Sequence, residues 1–299
     1  MHVFIHLPKS TANQTELDQK VAELKKYFQS LSEKILIKNL NFGFSFEISD
    51  SAFSRINWQK IKYFRKYFDL NFINHLLTTD DIKVTAFDMD NTVVGIETLD
   101  EFAKFIDSKG KNSLISNKIK KLTDASMNGK IPFIKSINAR LQLLTDVHLE
   151  LLNEFLQKPL PLTNGIKELI SGLQNKNIQT LLISGGFYPF ARKLQLELSF
   201  GEIFCNQFEV INNRLTGKYC IPLIDAKVKK QKLISYCQKN NYRTKQTLVI
   251  GDGANDYPMM VSSGYAMGYC AKPYLRDRLS KLNWQLNLAP ISSILDFWQ

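Results

Sequence analysis

The sequence predicts an α/β protein with a doubly wound, mainly parallel sheet, a helical cap inserted after the first strand, and a small N-terminal α+β domain. Three observations lead to this prediction. From about residue 82, apolar runs of strand length alternate with amphipathic stretches of helical length, which is typical of a parallel sheet covered by helices. Residues 98–158 carry only helical patterns, and residues 1–80 mix helical and strand-like patterns.

Residues 1–80 have the pattern of a separate accessory domain. Two segments are strand-like, HVFIHL at 2–7 and ILIKNLNFGFSFEI at 35–48, and TELDQKVAELKKYFQSL at 15–31 has helical periodicity. No group of residues there indicates chemistry, so we expect its phenylalanines and tyrosines to fill a core.

The sheet domain is predicted to comprise residues 81–97 and 159–299. Because its strands and helices alternate, ligands should bind at the carboxyl ends of the strands. A hairpin with a turn at Asn212 and Asn213 is predicted within 206–221. The predicted strands are KVTAFDMD at 83–90, IQTLLISGG at 178–186, TLVIGDG at 247–253 and YAMGYC at 265–270, and the predicted helices span 164–175, 188–198, 227–240 and 255–263.

The segment 98–158 interrupts this alternation with helical patterns in succession, and we predict that it forms the cap. PLPLTNG at 159–165 then marks the return to the sheet domain, because proline and glycine end regular structure. The predicted cap helices are TLDEFAKFIDS at 98–108, SNKIKKLTDASMNG at 116–129, FIKSINARLQLL at 133–144 and HLELLNEFLQ at 148–157.

Composition and charge argue against several classes of protein. The formal charge is +11, but the lysines are scattered and no aromatic-rich basic stripe accompanies them, so we expect a solvated basic surface and no nucleic-acid partner. No stretch approaches the roughly 18 consecutive apolar residues of a membrane span, and the N-terminus lacks the features of a signal peptide. We therefore expect a cytoplasmic protein without a membrane partner. The four cysteines are too few and too widely spaced for a zinc signature or a disulfide scaffold.

Acidic residues follow two of the predicted strands. Asp88 and Asp90 come directly after VTAF, and residues two apart on an extended chain point the same way. Asp252 and Asp256 lie in GDGAND, after TLVI. Either motif alone is often no more than a solvated turn, but together these carboxylates could hold one hard divalent cation such as Mg²⁺.

Residues suited to binding phosphate follow the other elements. Ser184 and Gly185 end the second predicted strand, where they offer a hydroxyl and backbone N–H groups. Lys227 precedes a predicted helix and would add a positive charge. The order Asp, Ser, Lys, Asp at strand ends and helix starts indicates phosphoryl transfer with an aspartate nucleophile.

These residues resemble the haloacid dehalogenase superfamily and, within it, the phosphoserine phosphatases of serine biosynthesis. The resemblance runs from about residue 82 to about residue 280 through DMDNTVVGIE, MNGKIPFIKSINAR, SGGF, RLTG, DAK, GDGAND and CAKP. It implies hydrolysis of O-phospho-L-serine to L-serine and phosphate through an aspartyl-phosphate, as the last step of serine biosynthesis. It also implies Mg²⁺ as the cofactor and a small molecule as the partner.

The resemblance assigns the acidic residues to specific roles. It implies that Asp88 is the nucleophile, and that Asp90 is the general acid that later deprotonates the attacking water. The Asp88 carboxylate, the Asp90 carbonyl and Asp252 would hold Mg²⁺, with Asp256 behind them.

The remaining candidate residues would bind the substrate. The resemblance implies that Ser184, Gly185 and Lys227 hold the phosphate, with Asn255 near the phosphate or water. Glu97 would contact the substrate ammonium group, and Arg140 its carboxylate, which a guanidinium binds in bidentate fashion. The apolar residues that close the cap over the substrate would be Met127 and Phe133. Two positions depart from the family pattern, Asn91 where serine is common and Ile134 where an acidic residue is common.

Other functions stay open at this point. A related phosphatase or phosphotransferase could act on another small phosphate monoester. A more distant alternative is a regulatory or nucleic-acid-binding module with a vestigial site. The sequence leaves a homodimer open as well.

Overall fold

The computed structural model contains an antiparallel sheet near the N-terminus and a larger parallel sheet after it. The predicted fold class is confirmed. The residues described are 1–8, 13–32, 35–110, 114–127, 130–279 and 284–298.

The N-terminal sheet has four antiparallel strands in the order β2-β3-β1-β4, with its helices packed on one face. Side chains of a strand alternate between the faces, so Val3 and Ile5 join the helices in one core while Phe4 points the other way. The elements are β1 His2–His6, α1 Gln14–Leu31, β2 Lys38–Leu40, β3 Gly43–Glu47, α2 Asp50–Ser54, α3 Trp58–Phe64 and β4 Asp69–Ile73.

The first strand of the parallel sheet is followed by a succession of helices, as predicted. Within residues 98–158, as far as they are described, no strand of either sheet is present. The prediction for 128 and 129 lies outside the described residues. The strand is β5 Val84–Phe87, and the helices are α4 Thr98–Lys109, α5 Ile115–Met127, α6 Phe133–Gln142 and α7 Leu149–Gln157.

The remaining chain completes a six-stranded parallel sheet in the order β12-β11-β10-β5-β6-β7. The predicted hairpin is confirmed, because Asn212 and Asn213 have φ of 50° and 59°, the left-handed values that a tight hairpin turn requires. The elements are α8 Ile166–Asn175, β6 Gln179–Phe187, α9 Tyr188–Leu198, β7 Glu202–Asn206, β8 Phe208–Ile211, β9 Arg214–Tyr219, α10 Ala226–Lys239, β10 Thr247–Gly251, α11 Tyr257–Ser262, β11 Tyr265–Tyr269, α12 Pro273–Arg278 and β12 Trp284–Leu286.

Polar residues of β4 join the N-terminal sheet to the parallel sheet. Asn71 donates to the carbonyl of Gln285 at 2.9 Å and accepts from its N–H at 2.8 Å. The buried carboxylate of Asp69 accepts from three successive backbone N–H groups, those of Asn287, Leu288 and Ala289. These bonds satisfy polar groups that would otherwise be buried without partners, so they fix the two sheets against each other.

No helix among the described residues has both the length and the apolar character needed to cross a bilayer.

Candidate active site

The active-site candidates meet where three neighbouring strands end. Strands β10, β5 and β6 lie side by side, so Asp252, Asp88 and Ser184 reach the same edge of the parallel sheet. Helices α5 and α6 of the inserted segment cover this edge and enclose a cavity of about 300 Å³. The cavity therefore has one wall made by strand ends and one made by helices.

Three buried carboxylates lie close together at this edge of the sheet. Asp88, Asp252 and Asp256 are buried, and each offers an oxygen within 4.8 Å of the others. Burial raises the pKa of Asp252 to about 6, because the charged carboxylate has lost most of its water. Oxygen ligands of this kind suit a hard divalent cation.

The charged residues that line the cavity indicate whether a divalent cation fits there. Among the described lining residues, five carboxyl groups face three cations. A divalent cation would offset this excess of negative charge, so the donor set and its charge both fit a divalent metal ion. The carboxyl groups are Asp88, Asp90, Glu97, Asp225 and Asp252, and the cations are Arg140, Lys229 and Lys272.

A buried lysine holds two of the carboxylates in place. Nζ of Lys229 donates to Oδ1 of Asp88 at 2.6 Å and to Oδ1 of Asp256 at 2.7 Å. Burial opposes the charge of Lys229, but the contacts with the two carboxylates outweigh it and raise its pKa. Asp256 also accepts from the N–H of Gly253 at 3.1 Å, and a Cβ on Gly251 would lie only 2.4 Å from its Oδ2.

The structure does not bring Lys227 to the cavity. Its side chain is exposed in the first turn of α10 and does not line the site, whereas Lys229 does. The prediction of Lys227 is therefore corrected to Lys229. Helical spacing could have identified the right lysine, since Lys229 lies four residues before the buried Leu233.

Asp90 lies beside the carboxylate cluster. Its Oδ1 accepts from the N–H of Thr98 at 3.1 Å, at the start of α4. Burial, together with the nearby charge of Asp88, raises the pKa of Asp90. A carboxyl group with a raised pKa can carry a proton at neutral pH, which a general acid requires.

The end of β6 faces the helical wall directly. The hydroxyl of Ser184 is buried and accepts from the N–H of Gly186 at 3.0 Å. A Cβ on Gly185 would lie 3.1 Å from Cζ of Phe133, so the absence of a side chain lets this aromatic ring approach the backbone. Met127 and Asn255 line the cavity as well.

Glu97 lies at the start of α4 and is held by residues from outside that helix. Asn91 donates to Oε1 of Glu97, which gives this departure from the family pattern a structural role. Nζ of Lys272 lies 3.7 Å from the same oxygen and 2.7 Å from Oδ2 of Asp252. Burial raises the pKa of Glu97, and the charge of Asp90 adds to the effect. Lys272, which belongs to the CAKP motif, is therefore a further residue of the site that the sequence patterns do not single out.

Arg140 lies in α6 and is only 7% exposed. Its Nη1 donates to Oγ1 of Thr123 at 3.2 Å. Its Nε has no hydrogen-bond partner among the described residues. A buried guanidinium that lines a cavity and keeps an unpaired donor is suited to an anionic ligand.

Comparisons with known proteins agree with this geometry. A model of the haloacid dehalogenase-like hydrolase family matches residues 82–264. A phosphoserine phosphatase from Idiomarina loihiensis is 37% identical over 64% of this chain and 83% of its own length. Another from Lactococcus lactis is 30% identical over 71% of this chain and 94% of its own length.

Solved structures extend the likeness. A haloacid dehalogenase family hydrolase from Salmonella enterica serovar Typhi is 24% identical, with a TM-score of 0.80 over 99% of this chain and 98% of its own, and so shares the fold of both sheets. A phospho-aspartyl intermediate analogue of phosphoserine phosphatase is 28% identical, with a TM-score of 0.66 over 73% of this chain and 100% of its own. Because the family model covers more than half of the chain and includes the buried carboxylates and Lys229, this protein belongs to the haloacid dehalogenase-like hydrolases.

Proposed function

We propose that this protein is a phosphoserine phosphatase that hydrolyses O-phospho-L-serine to L-serine and phosphate. The observation that carries the proposal is the buried Arg140, which lines the same cavity as Asp88 and Glu97 and whose Nε has no partner among the described residues. The similarity to phosphoserine phosphatases from Idiomarina loihiensis and Lactococcus lactis supports the same activity.

The charges of the cavity complement the three charged groups of phosphoserine. Arg140 suits the carboxylate of the substrate, and Glu97 suits its ammonium group. Lys229, Ser184 and the backbone of Gly185 line the same cavity as Asp88 and would bind the phosphate. A featureless phosphate monoester would leave the Nε donor of Arg140 unsatisfied, and an unsatisfied buried donor costs binding energy.

The reaction follows from the positions of two aspartates. An oxygen of Asp88 attacks phosphorus, and the bond from phosphorus to the serine oxygen breaks. Asp90 gives its proton to the departing serine oxygen. Asp90 then accepts a proton from a water molecule, whose oxygen attacks phosphorus and releases phosphate from Asp88. Lys229 binds Oδ1 of Asp88, which leaves Oδ2 for the attack.

We assign Mg²⁺ to the carboxylate cluster. The Asp88 carboxylate, the Asp90 carbonyl and Asp252 would hold it, while Asp256 would be kept in place by Lys229 and the N–H of Gly253. When bound, the cation offsets negative charge that would otherwise repel the phosphate.

We further propose that residues 98–158 act as a cap and residues 1–80 as an accessory domain. Met127 and Phe133 lie on the helical wall, and the close approach of Phe133 to Gly185 supports a role in covering the substrate. Closure of such a wall would exclude water while the aspartate is phosphorylated. Asn255 would lie near the phosphate. A cytoplasmic location stays a prediction from the sequence.

The test is phosphate release from O-phospho-L-serine, measured beside phosphothreonine, phosphoethanolamine, a sugar phosphate and p-nitrophenyl phosphate. We expect a strong preference for phosphoserine that EDTA abolishes and Mg²⁺ restores. The Asp88→Asn variant is the blank, because an amide cannot act as the nucleophile. Arg140→Ala should remove the preference while sparing p-nitrophenyl phosphate. A wild-type preference for the sugar phosphate would refute the proposed substrate.

A further inference from the structure

We propose that Asp100 and Thr123 are positioning residues that fix the guanidinium of Arg140 for the substrate carboxylate. The inference rests on the proposed function, because it concerns how the carboxylate of phosphoserine is recognised. Neither residue is part of the sequence motifs that predicted the site. Both are buried in helices of the inserted segment, Asp100 in α4 and Thr123 in α5.

A short chain of hydrogen bonds joins these residues to Arg140. Oγ1 of Thr123 lies 2.7 Å from Oδ1 of Asp100, and Nη1 of Arg140 lies 3.2 Å from the same Oγ1. The chain crosses three helices, since Arg140 belongs to α6. The hydroxyl of Ser136 bonds the carbonyl of Leu122 at 3.0 Å, which ties α6 to α5 beside this chain.

The chemistry of the three groups fixes the direction of the chain. A guanidinium can only donate, so the oxygen of Thr123 must accept from Arg140. The single hydroxyl hydrogen of Thr123 must then point to the carboxylate of Asp100. Thr123 therefore connects the charge of Arg140 to an acceptor of opposite charge, and both ends of this connection are buried.

This arrangement leaves a defined edge of the guanidinium for the substrate. Nη1 is occupied by Thr123, while Nε is unpaired among the described residues. Nε and Nη2 form the edge on the other side of the group, and two parallel donors of this kind match a carboxylate. Without Thr123 the guanidinium could rotate about its side-chain bonds, and the free edge would lose its fixed direction.

The experiment compares Thr123→Val with Thr123→Ser, since valine keeps the shape but removes the hydroxyl and serine keeps the hydroxyl. We measure kcat and KM for O-phospho-L-serine and for p-nitrophenyl phosphate, which has no carboxylate. The ratio to compare is kcat/KM for phosphoserine divided by kcat/KM for p-nitrophenyl phosphate. Thr123→Val should lower this ratio by about 10- to 100-fold, mainly by raising KM for phosphoserine. Thr123→Ser should keep the ratio within about threefold of the wild type.

Further variants show whether the effect passes through Arg140. Adding Thr123→Val to Arg140→Ala should change the ratio no further, because the group that Thr123 positions is already gone. Asp100→Asn, which keeps an acceptor but removes the charge, should fall between wild type and Thr123→Val.

Three outcomes would overturn the inference. One is a wild-type preference for phosphoserine that Thr123→Val retains. Another is a further loss of the ratio when Thr123→Val is added to Arg140→Ala. A wild type without any preference for phosphoserine would instead remove the proposed function, and this inference with it. An equal loss on both substrates in Thr123→Val and in Asp100→Asn would assign the network to folding alone and would also refute it.

Discussion

Replacing Lys229 with methionine should damage both folding and catalysis, whereas replacing Lys227 should do neither. Methionine keeps most of the length of the lysine side chain but removes the ammonium that contacts Asp88 and Asp256. Lys227 lies two residues earlier on the same helix and is exposed, so Lys227→Met is a matched control.

The expected loss in the free energy of unfolding follows from the two contacts of Lys229 with Asp88 and Asp256. At 2.6 and 2.7 Å, each pair has a Coulomb attraction of about 6 kcal/mol at an effective dielectric constant of about 20. Much of this is offset by the loss of hydration when the three groups are buried. Removing the lysine leaves two buried carboxylates without a cation beside them, which lowers the free energy of unfolding by about 3–5 kcal/mol.

The loss of stability in Lys229→Met should depend on pH. Burial and the charge of Asp88 raise the pKa of Asp256 even while Lys229 opposes the rise, so removing Lys229 raises it further. When the folded-state pKa of a carboxyl group exceeds its unfolded value, the folded protein binds more protons, and stability falls as pH increases between the two values. The deficit of Lys229→Met relative to wild type should therefore be larger at pH 8 than at pH 5.

Urea unfolding at both pH values measures the stability, and p-nitrophenyl phosphate turnover at the same pH values measures the chemistry. We expect the midpoint of unfolding to fall by about 1 M or more at pH 8, and kcat to fall by at least about 100-fold. A Lys229→Met protein as stable and active as Lys227→Met would refute the assignment of Lys229 to the site.

Two further predictions concern other contacts. Asp69→Ala should lower the free energy of unfolding by about 3 kcal/mol, because three backbone N–H groups lose their acceptor. Asp277 is exposed, so Asp277→Ala is the control and should not lower it. Thermal denaturation measures both variants, and equal melting temperatures would contradict the prediction. Gly251→Ala should reduce kcat at least about 10-fold, since the new Cβ would displace Asp256 from Lys229. The control is Gly95→Ala, whose Cβ would have its nearest neighbour at 4.0 Å, and it should keep activity. Full activity in Gly251→Ala would show that Asp256 can move without consequence.

Local patterns were sufficient to predict the strands that carry the chemistry. Val84–Phe87 and Thr247–Gly251 are buried along their whole length, so they read as short apolar runs. The polar residues that follow each run lie at one edge of the sheet because the strands are parallel. The sequence alone therefore places Asp88 and Asp252 together.

Contacts between distant segments explain the strands that sequence patterns missed. Strand β4 contains Asp69 and Asn71, which are unfavourable in a buried strand. They are tolerated because their partners lie more than 200 residues later, in β12 and the loop after it. The sequence of β4 shows the polar residues but not these partners. The sequence likewise shows Thr123 but not its two hydrogen-bond partners, which lie on other helices.

Helical geometry distinguishes Lys229 from Lys227. The motif places a lysine at the start of α10, where several lysines occur, and a positive charge suits any of them. The buried side of α10 is marked by Leu233, Tyr236 and Cys237, and Lys229 shares that side. At about 100° per residue, Lys229 lies about 40° from Leu233 around the helix axis, whereas Lys227 lies about 120° away. A lysine in line with an apolar stripe has to bury its ammonium, and burial demands carboxylate partners. Asp88 and Asp256 are those partners, so the position of a lysine on its helix face, more than its distance from a motif, indicates which one reaches the carboxylate cluster.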